Sequence, residues 1–547
     1  MLSSINPEVI QDLEGARTAI MALLNLVEEL KGDNASLREE VQRMRDEIAR
    51  LKGEQGKPEV KASKKGGNHS SEEERREKKE WKKREKKADI PIHREQKLEV
   101  DKSELPADAE FKDYVEVVVQ DIRIEMENVK FLKEKYYSAS ERKTYIAELP
   151  GGYEGEFGPG VRSLVLVLYF SGNMTEPKIV EFLSHIGVRI STGQISNLLI
   201  KKKDDWNEER REVVQAGLES TTWQHTDDTA TRVDGENQHC HILCNPLYTA
   251  YFTRPGKDRL TVLDVLQGGE GVRFLLNTET AAWLDLFKVP QWAQAKISQW
   301  PQEFLLERAE IEALLQEEMG HLNQQQQARI LEAAALTAYN ERTDIPIINT
   351  LLSDDAPQFQ HTTEHQALCW IHEGRHYKKL TPFVEYHRHL LKNFGKELWK
   401  YYHQLQAYRE QPSADEAVRL REEFDALFST TTGYDALDQR IAKTYDKKER
   451  LLQVLDQPQL PLHNNPAELG ARQRVRKRDI SFGPRTQDGV EAWDTFMTLT
   501  ETAKKLGVSF YQYVYDRISG DNSLPSLADL IRTRTQTLNS EDAWLPP

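Results

Sequence analysis

Three acidic residues lie where the predicted strands and helices of an α/β sheet open onto its edge. Asp227 and Asp354 each end a strand-like run, and Glu468 lies in the first turn of a later helix. Groups at the carboxyl ends of strands converge on one edge of such a sheet. Three carboxylates there would form an oxygen-ligand site that suits Mg²⁺ and leaves positions open for phosphate. Two such ions would support phosphodiester hydrolysis and strand transfer at one site.

Each of these carboxylates also has a purely structural interpretation. Asp227 and Asp228 could form a turn before the next hairpin, and Asp354 could cap the following helix. Glu468 stands three residues after Asn465 and matches a capping box with it. Residue spacing by itself leaves both interpretations open.

A dense basic run follows Glu468. Arg472 is four residues beyond it and could pair with it on a helix. The remaining basic side chains exceed what the neighbouring Asp479 can neutralise. Unpaired basic groups beside carboxylates suit a phosphodiester enzyme, because arginine binds the phosphates that flank the scissile one. We therefore expect DNA contacts from Arg472, Arg474, Arg476, Lys477, Arg478 and Arg485.

Histidine and cysteine recur in the segment after Asp354, which the sequence predicts to be a single helix. Their spacings of four, four, three and four residues put them on one face, and such residues can chelate zinc. One straight helix cannot surround a tetrahedral ion with all of them, so we do not expect zinc. The residues concerned are His361, His365, Cys369, His372 and His376.

The first 52 residues carry a heptad repeat that predicts a parallel, two-stranded coiled coil. β-branched residues at the a positions with leucine at d favour a dimer, and Asn34 at an a position favours one register. The alternative is a helix that packs this stripe against its own chain. The proposed dimer contacts are Ile20, Leu23, Val27, Leu30, Asn34, Leu37, Val41, Met44, Ile48 and Leu51.

The next segments differ sharply in composition. Residues 53–90 form a Gly-, Ser- and Lys-rich linker, and its basic run 75–87 is either a solvated tether or a phosphate-binding arm. Residues 91–160 alternate in short runs and predict a small strand-rich module. Residues 161–206 have helix-turn-helix proportions, although a plain helical hairpin fits equally well. Their candidate DNA contacts are Thr192, Gln194, Asn197, Lys201, Lys202 and Lys203.

Residues 207–510 predict a mixed α/β core with strands and helices in the order β-β-β-α, then β-α, then α. Two helix-rich stretches, about 268–345 and 381–455, interrupt it as insertions, and residues 511–547 follow as a C-terminal tail. The expected fold class is thus multidomain α/β plus helical.

Charge and composition narrow the function classes. The chain has 89 acidic and 74 basic residues in 547, a net charge of −15, which by itself argues against a nucleic-acid partner. The charge is uneven, however, since residues 268–345 hold 12 acidic and 6 basic residues. Three cysteines exclude a disulfide scaffold and fit a reducing cytoplasm. No apolar stretch is long enough to span a bilayer, and the N-terminus lacks the features of a secretory signal.

Four segments resemble transposases of the insertion sequence 66 family. The most specific is NNPAELGARQRVRKRDISFGPRTQDG, in which Asn-Asn-x-Ala-Glu precedes the basic run. The others are HTDDTATRVDGEN, SDDAPQF with HQALCWIHEGRHYKKL, and residues 157–199. The resemblance implies an RNase H-like catalytic core with an Asp-Asp-Glu triad, which falls on Asp227, Asp354 and Glu468. It also implies a zipper-like N-terminus and a helix-turn-helix for the element's ends. The family's Cys-rich module has no counterpart, because residues 53–200 contain no cysteine.

The resemblance therefore implies a DNA transposase that binds double-stranded element ends and target DNA and uses two Mg²⁺ ions, for which Mn²⁺ can substitute. It implies a bacterial, cytoplasmic, nucleoid-associated homodimer or higher oligomer, with accessory proteins of the element as further partners. A non-catalytic DNA-binding protein derived from a transposase is the alternative. A structural coiled-coil protein fits less well, because the heptads cover about a tenth of the chain.

Overall fold

A computed structural model describes residues 12–51 and 90–540, apart from 102, 104 and 107. The basic run 75–87 and most of the linker lie outside the described residues. Within the described part of the chain, no helix is both long and apolar enough to cross a membrane.

Helix α1, Leu13–Leu51, contains the whole heptad repeat. Its a and d side chains are exposed: Leu23, Val27 and Leu30 keep 42%, 40% and 51% of their surface accessible. The alternative in which this stripe packs against its own chain is therefore not what the structure has. The stripe is free to meet another helix.

Residues 91–160 were predicted to be strand-rich, and that prediction is wrong. The described part of this segment has a single hairpin of β1, Lys135–Ser138, and β2, Lys143–Ile146. The alternating run before it is extended and exposed, with Val115 91% accessible. The alternation fits a strand, but the described residues include no neighbouring strand to accept its backbone hydrogen bonds.

Residues 159–219 form four α-helices and one π-helical turn, Val167–Ser171, whose buried side chains join the same core as the sheet that follows. Helix α4 begins with a capping box in which Ser191 and Gln194 bond each other's backbone N–H groups. In order, the helices are α2, Pro159–Leu166; α3, Glu176–His185; α4, Thr192–Ile200; and α5, Asp204–Glu219.

The central sheet begins with a meander of β3, Trp223–Val233, β4, Glu236–Cys244, and β5, Thr249–Arg254. Asp234 and Gly235 connect β3 to β4 with φ values of 49° and 86°. These left-handed conformations match the twist of a two-residue hairpin, as the Asp-Gly pair predicts.

The first insertion lies between the meander and the rest of the sheet. After α6, Arg259–Leu266, it holds a small hairpin and four helices, and its apolar side chains belong to the main core. These elements are β6, Phe274–Leu275; α7, Thr278–Leu286; α8, Gln291–Ile297; β7, Leu305–Leu306; α9, Arg308–Met319; and α10, Gln324–Asn340.

Strands β8, Thr350–Ser353, and β9, His365–Leu368, complete a five-stranded sheet of order β5-β4-β3-β8-β9. β4 runs antiparallel to its two neighbours, whereas β3, β8 and β9 run parallel. The prediction of one helix over 361–376 is wrong. β9 occupies its middle, and α11 spans only Trp370–Lys378.

The second insertion has a core of its own, built around Trp370, Tyr401 and Phe424. Its helices are α12, Glu385–Glu410; α13, Ala414–Phe428; α14, Asp435–Tyr445; α15, Lys448–Leu451; and α16, Gln453–Asp456. α17, Asn465–Ser481, and α18, Gln487–Lys505, then return to the sheet.

The predicted C-terminal tail, 511–547, is helical and packed in its described part, up to residue 540. α19, Phe510–Ser519, and α20, Leu527–Ser540, bury Tyr513, Leu527 and Ile531 in the main core. The catalytic-core boundary predicted at residue 510 therefore falls at the start of α19, which is a packed helix. Beyond it, α20 packs against α5.

Candidate active site

Two of the three candidate carboxylates belong to neighbouring strands: Asp227 lies within β3, and Asp354 follows the last residue of β8. β3 and β8 are paired in parallel with His225 opposite Leu352. Asp227 and Asp354 each stand two residues further along, so the same register places them side by side. Asp227 lies within β3 rather than in a turn, while the Asp354 carboxylate accepts the Ala356 N–H at 3.1 Å in a local turn.

The Asp227 side chain faces both of the other candidate carboxylates. Burial raises the pKa of Asp227 to about 7, and the negative charges of Asp354, Asp228 and Glu468 add to this increase. The N–H of Asp228 opposes the increase by donating to the carboxylate at 2.9 Å. Asp227 thus lies within electrostatic range of both other predicted carboxylates.

Asp228 serves a different surface from Asp227. Successive residues of a strand point to opposite faces, and Gln358 donates to the Asp228 carboxylate at 3.0 Å. Asp228 is also paired with His241 across the β3–β4 ladder. The structure therefore aligns Asp227, rather than Asp228, with the other two carboxylates.

Asn464 fastens the start of α17 to β3. Its side-chain amide donates to the Thr226 carbonyl at 2.7 Å, and its Oδ1 lies 2.9 Å from Nδ1 of the buried His225. As the N-cap, it makes no side-chain capping bond to its own helix. The capping-box interpretation of Asn465 with Glu468 is therefore not observed, because the Glu468 carboxylate bonds side chains instead.

α17 also lies unusually close to the sheet. A Cβ on Gly470 would come within 2.9 Å of Ile242 on β4, and the Gly470 carbonyl accepts a bond from Tyr251 at 3.2 Å. Glycine permits this close approach. With both contacts, the first turns of α17 are fixed over β3 and β4, and Glu468 is held at the sheet edge.

Positive and neutral side chains of α11 and α17 surround the Glu468 carboxylate. Arg375 donates to its two oxygens at 3.1 and 3.4 Å, and Arg472 donates at 3.4 Å. The Nδ1 of His372 lies 3.7 Å from Oε1 and is buried without a hydrogen-bond partner. The predicted intrahelical pair of Glu468 and Arg472 is therefore present, and Arg375 joins it from another helix.

Cys369 completes a compact donor group with His372 and Glu468. Their ligand atoms all lie within 4.8 Å of one another, which no other such group among the described residues matches. The three carboxylates of the predicted triad are therefore spaced more widely than this. Burial raises the pKa of the Cys369 thiol to about 11. The single-helix argument against zinc assumed the wrong geometry, and the expectation that zinc is absent stays a prediction.

Arg375 is a neighbour of the site that the sequence did not indicate, whereas Cys369 and His372 belong to the Cys-Trp-x-His run, for which the family resemblance implies packing or DNA contact near the active site. The incorrect prediction of one helix over 361–376 grouped Cys369 and His372 with more distant histidines on a single helix face. β9 instead places Cys369 one residue beyond Leu368, which pairs with Ser353. Cys369 is thereby level with Asp354. His361 and His365, by contrast, lie before and within β9.

The second insertion braces the loop that carries Asp354. The adjacent Asp355 bonds Lys447 at 2.7 Å and Arg450 at 2.6 Å. Lys447 also bonds Glu373 of α11 at 3.2 Å, and Glu373 is 4% exposed. These ion pairs connect the insertion, the end of β8 and α11 into one unit beside the carboxylates.

The basic cluster of α17 divides into exposed and buried side chains. Arg472, Arg476 and Arg485 are exposed, and Arg478 is partly exposed and bonds the Ala230 carbonyl. Arg476 and Arg485 are thus accessible to phosphate without losing a bond to another described residue, whereas Arg472 and Arg478 already bond Glu468 and Ala230.

Arg474 and Lys477 were predicted to contact DNA, and their burial contradicts this. Arg474 is 0% exposed, lies 3.4 Å from Asp494 and donates to Thr253 at 2.8 Å. Lys477 is 1% exposed, with its Nζ 3.1 Å from the centre of the Tyr169 ring. Both fall on the helix face that packs against the core.

The candidates around α4 divide in the same way. Thr192, Asn197, Lys201 and Lys202 are exposed. Gln194 is occupied by the capping box and by a bond to Glu156 at 2.6 Å. Lys203 lies over the Phe496 ring, and burial lowers its pKa to about 8. The outward-facing positions of this region thus form a smaller set than the sequence suggested.

The carboxylate set fits a divalent cation. Asp227 is buried beside two further acids, and their mutual repulsion would be relieved by a positive ion between them. Carboxylate oxygens are also the ligands that Mg²⁺ prefers. Asp227, Asp354 and Glu468 are the residues that would hold such an ion.

Comparison with known proteins supports one family. A model of the family described as "Transposase IS66 family" matches residues 349–492, which include Asp354, Glu468 and the basic cluster. The chain is also similar to the uncharacterized protein y4jO of Sinorhizobium fredii, with 31% identity over 324 residues. That match covers 59% of this chain and 100% of the relative. By its sequence and by the segment that holds two of its three candidate carboxylates, the chain belongs to the IS66 transposase family.

Proposed function

We propose that this protein is a DNA transposase that cleaves the ends of an insertion sequence and joins them to target DNA. The observation that carries the proposal is the electrostatic contact of Asp227 with both Asp354 and Glu468. Three chain segments more than a hundred residues apart bring these acids together, which a capping or turn role would not require.

The sheet supports an RNase H-like catalytic core. Its strand order is β5-β4-β3-β8-β9. β4 runs antiparallel to both of its neighbours, whereas β3, β8 and β9 run parallel, and this arrangement fits that fold. The site then lies where β3, β8 and α17 meet. In open α/β sheets, ligand sites form at the carboxyl ends of parallel strands.

Magnesium is the proposed cofactor, with two ions held by Asp227, Asp354 and Glu468 and with Mn²⁺ able to substitute. When bound, such ions lower the pKa of an attacking water or hydroxyl and neutralise charge on the phosphate. The chain's own groups prepare this site. Burial keeps Asp227 poor in water contacts, and the Asp355 ion pairs hold the neighbouring Asp354 in place.

DNA phosphates would be bound by the exposed basic side chains near the site. Arg472 and Arg476 lie on α17, and Arg485 follows it. An exposed guanidinium group can bind two oxygens of one phosphate at once. These arginines therefore suit the phosphates on either side of the scissile bond. When DNA binds, Arg375 and Arg472 would also release the Glu468 carboxylate and bind a DNA phosphate instead.

The element's ends would be recognised by the helices α3 and α4. Thr192 and Asn197 are exposed on α4, which begins just after a short connection, as a recognition helix does. Lys201 and Lys202 follow at its end and would contact the DNA backbone.

The zipper of α1 would join two copies of the chain as a parallel homodimer. The exposed a and d residues leave an apolar stripe that a second copy can cover. A DNA substrate would place this assembly on the nucleoid in the bacterial cytoplasm, with accessory proteins of the element as further partners.

A second candidate function is a non-catalytic DNA-binding protein derived from a transposase. A gel-shift assay and a cleavage assay on the same end DNA separate the two. We expect binding without metal, nicking with Mg²⁺ or Mn²⁺, and none with EDTA. Binding without nicking under every metal condition would favour the non-catalytic candidate.

A further inference from the structure

Helix α1 has two distinct faces. The a and d stripe is exposed, but a second stripe is partly covered by the protein's own chain. Its members recur at spacings of four and three residues, which marks one side of a helix. They occupy the b and f positions, behind the zipper seam, and comprise Met21, Asn25, Glu28, Gly32 and Ala35.

Glu28 caps a helix of the second insertion. Its carboxylate accepts the backbone N–H groups of Phe383 and Val384, just before α12, with 2.8 Å to Val384. It also lies 3.2 Å from Nδ1 of His387, which is fully buried. α12 has no side-chain cap of its own. A carboxylate at a helix N-terminus satisfies free N–H groups and the positive end of the helix dipole.

Asn25 anchors α1 to the start of α14. Its amide donates to the Gly433 carbonyl at 2.9 Å and to Asp435 at 3.0 Å, and its Oδ1 accepts the Asp435 N–H at 3.2 Å. Gly433 has φ of 86°, and a Cβ there would meet the Met21 side chain at 2.3 Å. Glycine therefore suits the left-handed turn, and the end of the Met21 side chain lies directly against it.

These anchors continue toward the candidate active site. The His387 ring stacks on Tyr434 with centroids 4.2 Å apart. Tyr434 leads into α14, whose Arg440 pairs with the buried Glu373 of α11. Glu373 shares Lys447 with Asp355, beside Asp354. Packed side chains and ion pairs thus link the rear of the zipper to the loop of a catalytic acid.

We propose that the rear stripe of α1 is a docking face that fixes the zipper to the second insertion. A dimer formed through the a and d stripe then sets the distance and orientation of two active sites, instead of tethering them loosely. The partner on the front face is a second copy of this chain, because its g positions Asp33, Glu40 and Glu47 oppose basic e positions in a parallel pair. The inference rests on the dimer of the proposed function.

Thiol crosslinking of the full-length protein tests the docking. The variant Asn25→Cys with Asp435→Cys is treated with a short bismaleimide, while the three native cysteines are buried. We expect an intramolecular crosslink. The control is Glu39→Cys with Asp435→Cys, since residue 39 is also an f position but lies about 21 Å further along the helix. Equal crosslinking of both pairs, or none of the first pair, would refute the docking.

An assay for the concerted joining of two DNA ends tests whether the docked zipper sets the geometry of the two active sites. Asn25→Ala with Glu28→Gln should leave the dimer mass and single-end nicking unchanged, because neither residue contacts the site. Concerted joining of two ends should fall about tenfold or more, since it depends on how the sites are held together. The control Glu29→Gln changes an exposed acid one residue away.

The outcomes separate this inference from the proposed function. Unchanged concerted joining in the double variant would overturn the coupling even if the crosslink forms. If the wild-type protein cuts no DNA, the proposed function fails, and the crosslink pattern still decides whether the zipper is docked.

Discussion

Asp227 in β3 and Asp354, just after β8, each follow the last pair of the parallel ladder, His225 with Leu352, by two residues. The register brings two acids together at a site where burial already disfavours charge, and Glu468 adds a third. A folded protein retains such repulsion where function needs it. The arrangement is the strongest argument that these residues bind a cation and not merely shape turns.

Neutral replacement of any triad residue should stop cleavage. Asp227→Asn, Asp354→Asn and Glu468→Gln each remove a metal-ligand charge while keeping side-chain size. We expect nicking of end DNA to fall on the order of 10²-fold or more, with gel-shift affinity retained. The matched control is Asp228→Asn, whose amide oxygen can still accept from Gln358. Nicking lost in Asp228→Asn and kept in Asp227→Asn would reverse the assignment.

Exposed arginines of the basic cluster should contribute to DNA affinity through phosphate contacts. Arg476→Ala or Arg485→Ala should weaken binding of all sequences alike and lower the slope of log affinity against log salt by about one. Fluorescence anisotropy at several salt concentrations measures this. Arg308→Ala, an exposed arginine of the first insertion that pairs with Glu312, serves as the control. An equal effect of the control would indicate general electrostatics.

Arg474 should act on stability instead. Arg474→Ala leaves Asp494 buried without its guanidinium partner, and breaking a buried pair in this way costs about 3–5 kcal/mol. Chemical denaturation should show this loss in the free energy of unfolding. Arg476→Ala, two residues away on the exposed face, should leave that free energy nearly unchanged. A stable Arg474→Ala protein with weakened DNA binding would contradict the structural role.

Lys477 should make stability depend on pH. Burial lowers the pKa of Lys477 to about 7, and the charge of Glu176 only partly opposes this. Between that pH and its ordinary pKa near 10.4, the unfolded chain holds a proton that the folded chain lacks. The contribution of Lys477 to the free energy of unfolding therefore rises with pH across this window and is lowest below about pH 7.

The variant Lys477→Met removes that titration. The difference in unfolding free energy between variant and wild type should shift by a few kcal/mol between pH 7 and 10, in favour of wild type at the higher pH. Urea denaturation at each pH provides the measurement, and the exposed Lys201→Met is the control. A constant difference would show that Lys477 keeps its charge when buried.

Charges placed in the zipper seam should dissociate the dimer. Val27→Lys with Leu30→Lys puts two cations opposite their own copies in a parallel pair, and this arrangement is strongly unfavourable. Light scattering of the full-length protein should then give the mass of one chain. Glu29→Lys, on the exposed c position, should leave the dimer intact. A wild-type protein that already has the mass of one chain would refute the zipper.

Local features of this protein could be predicted from the amino-acid sequence. The heptads of α1, the Asp234-Gly235 hairpin and the position of Glu468 in a helical first turn depend on neighbouring residues, and the structure has all three. Asp354 could also be placed just after a strand, because the apolar run before it was clear, whereas Asp227, expected at a strand end, lies inside β3. These features follow from periodicity and turn chemistry, which act over a few residues.

Which side of each element faces the core depends instead on how the elements pack together. Arg474 and Arg476 are two residues apart, yet one is buried and one exposed, because α18 and the sheet cover a single face of α17. The short strand β9 was invisible as a strand, since four residues carry little periodicity and need β8 to form. The docking of α1 through Glu28 likewise depends on helix N-terminal groups about 355 residues away. Such pairings are energetic outcomes of packing, and no local pattern encodes them.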